Sequence, residues 1–270
     1  MLKNEGDRLI RVAVCTPGDD YFKPGSLTAH NLTQLADRDL TLNQHATLKK
    51  TLRDDGAEVI SLPELAGHPN SVFTRDTALV TPNGYIKLRL GLDTRKGEEA
   101  WMADCLDSKS VPLAGEIVAP GTVEGGDVIL AGRVAFIGRT IRTNDDGIRQ
   151  LSALLEKMDF EIRVIPMPCT ILHLDKAMMM VGPDRVIYCR ELMAPDFFDG
   201  FETTVLSCYE SATVNIICLG PKECIVDRTN SRVIEKLEDI GITVRDLDLS
   251  EFTKGTGGPN CLIMPVERTS

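Results

Sequence analysis

The feature that most restricts the fold of this chain is a repeat. Two short apolar strands joined by a Gly- or Pro-containing turn, then a helix, then another strand, recur along residues 77–247. The first copy reads as strands 77–81 and 85–90 around Pro82, Asn83 and Gly84, a helix over 97–106 and a strand at 116–118. The second has strands 128–131 and 134–138 around Gly132, a helix over 145–158 and a strand at 161–165. In that helix Ile148, Leu151, Leu154, Leu155 and Met158 share one face, and Asn144 stands where an N-cap belongs. The third copy has strands 177–181 and 186–189 around Gly182 and Pro183, with a helix expected between Pro195 and Ser211. The fourth has strands 214–219 and 224–227 around Gly220 and Pro221, a helix over 231–240 stopped by Gly241, and a strand at 243–247. The fifth is split. Its strand at 262–265 must pair with one at 10–15 near the N-terminus, followed by a helix over 41–55 and a strand at 58–62.

Copies spaced by roughly fifty residues fall in the range where repeats stack radially or linearly. A split copy closes a ring, because it joins the chain ends and removes exposed sheet edges. The expectation is one domain over residues 1–270, a closed five-bladed α/β propeller with its helices outside. An ordinary α/β sandwich fits less well, since hairpins interrupt strict βαβ alternation.

Composition narrows the function classes. A net charge of −10 disfavours nucleic acid, which needs basic patches, and suits a small cationic substrate. No apolar run approaches membrane-spanning length, and the first residues lack the pattern of a signal peptide, so the expectation is a cytoplasmic protein without membrane contact. A homo-oligomer is compatible with the sequence. The eight cysteines form no C-x-x-C pair, which argues against a zinc site or redox dithiol and for reduced thiols.

The residues leading into the first strand of each copy carry the chemistry. They are Phe73 to Asp76, Glu124 to Asp127, His173 to Asp175, Asn215 within its strand, and Cys261 after the run Lys254 to Asn260. Equivalent positions of a radial repeat crowd around one channel, so a thiol, an imidazole and several carboxylates are expected to meet there. Each has a plainer reading alone: a surface ion pair for Asp76, a turn for Glu124 to Asp127, a core imidazole for His173, a turn cap for Asp175, a partner for buried backbone for Asn215, and a small apolar side chain for Cys261. Together at equivalent positions they make a catalytic set.

The motifs F-T-R-D, E-G-G-D, H-x-D and G-G-P-x-C, in this order across residues 10–268, resemble the guanidine-modifying (pentein) superfamily. It includes arginine deiminases, dimethylarginine dimethylaminohydrolases and amidinotransferases, and its fold is a five-bladed α/β propeller. The resemblance implies that Cys261 attacks the guanidino carbon as a thiolate, and that Asp76 and Asp175 hold the guanidinium. His173 protonates the departing amine and then activates water, and Glu124 orients His173. It also implies that Arg95 and Arg142 grip an α-carboxylate, with two solvated basic side chains as the plainer reading. Asn70 lines the site and Phe73 forms a wall, whereas Asp127 ties the Gly-Gly turn. No metal or organic cofactor is called for. Residues 16–31, with two Pro-Gly turns, are the candidate lid.

Among the relatives, Asp175, Arg75 and the ending G-G-P-N-C-L-I-M-P resemble arginine deiminases. Dimethylarginine hydrolases resemble V-E-D at the F-T-R-D position, and a second acid beside methyl groups would lack donors. Length points the other way: only residues 96–123 are available where arginine deiminases carry an inserted helical domain. The reading is conversion of arginine to citrulline and ammonia. The alternatives are dimethylarginine hydrolysis, arginine dihydrolysis, amidino transfer and, without enzymatic activity, a ribosome anti-association factor of the same fold.

Overall fold

A computed structural model describes residues 1–208 and 213–270. Among the described residues the strands form five three-stranded sheets, each an antiparallel pair with a third strand added in parallel. The split blade holds β1 (Arg8–Thr16), the short α1 (Asp19–Phe22), the long α2 (Arg38–Asp54) and β2 (Glu58–Pro63). The second contains β3 (Ala78–Thr81), β4 (Gly84–Lys87), α3 (Glu98–Ser108) and β5 (Leu113–Glu116). The third contains β6 (Val128–Ala131), β7 (Val134–Arg139), α4 (Asp145–Glu156) and β8 (Glu161–Pro166). The fourth has β9 (Met178–Gly182), β10 (Arg185–Cys189) and β11 (Glu202–Leu206). The fifth has β12 (Ile217–Gly220), β13 (Glu223–Asp227), α5 (Ser231–Asp239) and β14 (Thr243–Leu247), before α6 (Ser250–Thr253) and β15 (Met264–Thr269) complete the chain.

Closure occurs as the split repeat requires. β15 pairs antiparallel with β1, Val12 facing Pro265, and β1 pairs in parallel with β2. The fold is thus the expected five-bladed α/β propeller. The helices lie between the second and third strands of four blades, which is the crossover that parallel neighbours need. Their apolar faces close the blades from outside: Ile148, Leu151 and Leu155 of α4 join one core with Leu130 and Ile137, and Val233 and Leu237 of α5 join another with Val226. Asn144 caps α4 as its position suggests, its side chain accepting from Gly147 N at 2.8 Å.

Two expectations are corrected in the fourth blade. In place of the helix between Pro195 and Ser211 there is one 3-10 turn, Pro195–Phe198, followed by β11; residues 209–212 lie outside those described. Phe198 is buried against Phe136 and Tyr188, so its ring anchors the turn where a longer helix would have had a whole face to bury. The cysteines are not all thiols either. Parallel pairing sets Cys189 of β10 opposite Leu206 of β11, two residues from Cys208, and Cys189 and Cys208 are joined as a disulfide with their Cα atoms 5.5 Å apart. The other six cysteines are free.

Candidate active site

Four of the five blades enter their first strand through a 3-10 turn: Thr74–Asp76, Gly125–Asp127, Leu174–Lys176 and Asn260–Leu262. Asn215 precedes β12 in the remaining blade. These turns pack against one another around the ring, which brings Asp76, Glu124, His173, Asp175 and Cys261 together from four separate parts of the chain. All five are buried.

His173 is held between acids. Its Nε2 lies 2.7 Å from Glu124 Oε2, and its Nδ1, without a hydrogen-bond partner, lies 3.9 Å from Asp76 Oδ1. Burial alone would depress the imidazole; Asp76, Glu124 and Asp127 outweigh it and bring His173 up to about 9. The ring is therefore an imidazolium at neutral pH, with Nδ1 as the one proton donor left to offer. Glu124 is braced on its other oxygen by the N–H groups of Gly91 at 3.0 Å and Leu92 at 3.3 Å. Burial pushes Glu124 up, but the bond from His173 holds its carboxyl below the usual range. A side chain at position 126 is excluded: a Cβ there would stand 2.8 Å from His173 Nδ1 and 3.0 Å from Asp76 Oδ1, so the second glycine of E-G-G-D opens the space between imidazole and carboxylate.

Cys261 Sγ lies 3.8 Å from Asp175 Oδ2 and 3.5 Å from Asn215 Nδ2. Burial, followed by the charge of Asp175, pushes the thiol up to about 12. Asp175 Oδ2 also accepts from Asn260 Nδ2 at 3.0 Å, whereas Oδ1 is buried and has no partner. The resting protein thus holds a protonated thiol beside one unmatched acceptor, an arrangement that a cationic donor would complete.

Phe73, Asp76, Asn70, Arg95, Arg142, Glu124, His173 and Cys261 all line one cavity, together with Asn31, Leu92 and Leu172, whereas Asp175 is not part of the lining and reaches the site through its contact with Cys261 Sγ. Its volume is about 20 Å³, the room one water requires, so an arginine side chain enters only when the walls move. Asn31, at the end of the candidate lid, is bonded across the mouth to Thr256 Oγ1 at 3.3 Å, and His30 O accepts from Asn70 Nδ2 at 3.0 Å.

The two arginines differ. Neither is a solvated side chain. Arg95 Nη1 is 2.5 Å from Asp76 Oδ2, its Nε and Nη2 bind Glu98 Oε2 at 2.9 and 2.7 Å, and Nη2 also donates to Phe73 O at 3.0 Å. Each of its nitrogens already has a protein acceptor. Arg142 is looser: Nη1 is 3.8 Å from Glu124 Oε1 and Nε has no partner. Arg142 is the arginine of the pair with donors available for a carboxylate.

Glu98 was not singled out from sequence, although Arg95 and Glu98 stand three apart at a helix start, the spacing of an ion pair. Burial pushes its carboxyl up to about 7 against the pull of Arg95. Asp127 accepts from Thr140 Oγ1 at 2.7 Å, Thr143 Oγ1 at 2.6 Å and Leu174 N at 2.9 Å, and so ties two blades below the cavity. Arg75 takes no part in the lining. It donates to Glu5 Oε1 at 2.7 Å, Val128 O at 2.6 Å and Gly125 O at 3.1 Å, so its value for telling substrates apart has no contact behind it.

Asp76, Glu124 and His173 each present one ligand-type atom within 4.8 Å of the others, the spacing of a metal cluster. The imidazole nitrogen facing Glu124 is already bonded, however, and a protonated ring repels a cation. The group is better matched to moving a proton.

A family model described as N,N dimethylarginine dimethylhydrolase, eukaryotic, matches residues 26–268. The chain belongs to the dimethylarginine dimethylhydrolase family. It is therefore a member of the guanidine-modifying pentein superfamily and a hydrolase acting on guanidino groups, and the ribosome-factor alternative is set aside. The N(G),N(G)-dimethylarginine dimethylaminohydrolase of Pseudomonas aeruginosa is 29% identical over 221 residues, 82% of this chain and 86% of that protein. A crystal structure of the Pseudomonas aeruginosa enzyme, a cysteine-to-serine variant complexed with citrulline, aligns with a TM-score of 0.83 at 25% identity, over 95% of this chain and 99% of the other. The N-terminal domain of ArgZ, an arginine dihydrolase from the ornithine–ammonia cycle in cyanobacteria, aligns with a TM-score of 0.84 at 20% identity, over 96% and 98% of the two chains, a likeness of fold alone. Among the described residues of this family member, no helix is long and apolar enough to cross a membrane.

Proposed function

We propose that the chain hydrolyses the unsubstituted guanidino group of arginine or a close derivative to a ureido group and ammonia. The observation that carries this reading is the buried Asp175 carboxylate, whose Oδ2 lies 3.8 Å from the Cys261 sulfur and whose Oδ1 has no hydrogen-bond partner. An acceptor in that position calls for an N–H donor, which an unsubstituted guanidinium supplies on both terminal nitrogens. A dimethylated nitrogen brings two methyl groups and no hydrogen.

The chemistry balances over two half-reactions. Binding of the substrate cation beside Asp76 and Asp175 favours the ionised sulfur, and the thiol proton leaves to solvent. Cys261 Sγ bonds to the guanidino carbon, the terminal C–N bond breaks, and His173 Nδ1–H protonates the departing nitrogen, giving ammonia and a thiouronium. Neutral His173 then takes a proton from water, whose oxygen bonds to the same carbon. As the C–S bond breaks, the intermediate's hydroxyl gives its remaining proton to solvent, which releases the neutral ureido product and the thiolate. Glu124 keeps the ring oriented through both steps. Arg142 is the residue to hold the substrate's α-carboxylate, and Arg95 fixes the Asp76 carboxylate in place.

A second reading, hydrolysis of dimethylarginine, is favoured by the family model and by the name of the Pseudomonas relative. One panel separates them: arginine, dimethylarginine and agmatine, with and without an amine acceptor, reading ammonia, dimethylamine, citrulline and ornithine. The expected result is ammonia and citrulline from arginine, with Asp175→Ala lowering kcat/KM for arginine by about 10- to 100-fold, the worth of one charged hydrogen bond. Dimethylarginine should be less affected by that change. Dimethylamine release outpacing ammonia release in the unaltered protein, or equal damage to both substrates in Asp175→Ala, would reverse the preference.

A further inference from the structure

The nucleophile's immediate surroundings contain a donor that the mechanism above does not use. Asn215, 2% exposed, lies just ahead of β12, and its Nδ2 points at Cys261 Sγ from 3.5 Å. Its Oδ1 accepts from the backbone N–H of Asn260, the residue before the nucleophile, at 2.9 Å. That second bond removes the ambiguity of an amide's orientation: a flipped side chain would set its NH2 against an N–H and its oxygen against the sulfur. Gly258 makes room for the arrangement, since a Cβ there would stand 2.3 Å from Asn215 Oδ1. Because Asn260 and Cys261 share one 3-10 turn, the amide and the sulfur are held in the same frame.

The acids near the sulfur do the opposite, whereas the backbone of Gly258 also favours the anion. Asp175 Oδ2 can only accept from a thiol, and Asp76 adds like charge that opposes ionisation. Lys176 acts favourably on the sulfur through its charge, but no hydrogen bond joins them. An N–H donor fixed on a sulfur, facing acids on the other side, stabilises the anion and leaves the thiol nearly indifferent.

We propose that Asn215 is a further catalytic residue: its amide donates to the Cys261 thiolate and holds the sulfur aimed at the guanidino carbon. The proposal rests on Cys261 being the nucleophile. The arrangement also explains the order Gly258, Pro259, Asn260, Cys261, in which one residue clears space, one supplies the locking N–H and one supplies the sulfur. When the thiouronium collapses, the leaving thiolate is received by the same N–H, so Asn215 acts in both half-reactions.

The test is the pH dependence of Cys261 alkylation by iodoacetamide in the substrate-free protein, followed by peptide mass spectrometry, in the unaltered chain, Asn215→Ala and Asn215→Asp. The expected result is that the alkylation rate on its rising limb, where it follows the thiolate fraction, falls about 10- to 100-fold at a given pH in Asn215→Ala, which displaces the limb by about one to two pH units. The limb should move further in Asn215→Asp, which has nearly the same shape and places an acid against the sulfur. kcat/KM for the guanidino substrate should fall about 10- to 100-fold in Asn215→Ala, mainly through kcat. An undisplaced rising limb in either folded variant, even with a lowered melting temperature, overturns the proposal and leaves Asn215 a structural tie. Should Asn215→Ala fail to fold, the near-isosteric Asn215→Asp carries the test. Iodoacetamide labelling that never reaches Cys261 in the unaltered protein would instead overturn the assignment of the nucleophile, an outcome separate from a missing shift.

Discussion

Replacing Cys261 by serine is expected to abolish turnover, by roughly 10⁴-fold or more, while arginine still binds with an affinity close to that of the unaltered protein. A hydroxyl is far harder to ionise than a thiol, and no general base stands on the sulfur to activate it: the neighbours of Cys261 Sγ are Asp175 Oδ2 and an amide N–H, and the imidazole proton belongs to a ring bonded to Glu124. The groups that meet the substrate are untouched by the change. Isothermal titration of Cys261→Ser with arginine, alongside an ammonia assay, checks both halves. Loss of binding together with activity would show that the sulfur position had been given the wrong role.

His173→Gln is expected to lower kcat by about 10²- to 10⁴-fold, the range for losing a general acid–base. The pH profile gives a sharper reading. His173 is raised to about 9, so the imidazolium that protonates the leaving nitrogen is fully present below neutral pH and lost as pH rises through 9. The alkaline limb of kcat/KM, which reports groups of the substrate-free enzyme, should fall with that group and should be absent in His173→Gln. A substrate analogue whose leaving group is an alkylthiol needs no proton to depart. It should still modify Cys261 in His173→Gln and then persist, because water activation is lost too. Rapid clearance of that adduct in the variant would contradict the assignment of both proton transfers to one ring.

Much of this was legible in the sequence, for physical reasons that differ between parts of the chain. Hairpins such as residues 128–138 read well because an apolar run, a glycine turn and a second apolar run leave few alternatives, and β6 and β7 occupy those positions. The ring followed from one fact, that the last strand had no partner except the first. Gathering of Asp76, Glu124, His173, Asp175 and Cys261 followed in turn, since equivalent positions of a radial repeat must meet. The fourth blade failed where a short connection, Pro195–Phe198, is anchored by one buried ring in place of an amphipathic face. The disulfide between Cys189 and Cys208 was invisible because it depends on a parallel register, not on spacing along the chain. Arg95 was the hardest case. Sequence presents it as one of two cations for a carboxylate, and only the folded chain reveals that Asp76, Glu98 and Phe73 O already surround it.

That same enclosure bears on how the site opens. A cavity of about 20 Å³ whose walls include Asn31, Thr256 and Arg95 cannot take a substrate side chain unaltered. Asn31 and Thr256 are joined by two hydrogen bonds of 3.3 Å between two loops, each worth about 1 kcal/mol, while Arg95 is held by a buried ion-pair set whose disruption costs about 3–5 kcal/mol. The loop is the cheaper wall to move.

The most direct measurement is to mix the protein with arginine, quench in acid within the first turnover and map the peptides by mass spectrometry. The account predicts that the peptide containing Cys261 carries the mass of the substrate less ammonia, that this adduct forms before citrulline accumulates, and that it is absent in Cys261→Ser. Full turnover of arginine with the Cys261 peptide unmodified at every time point, or with the adduct on another cysteine, would contradict it.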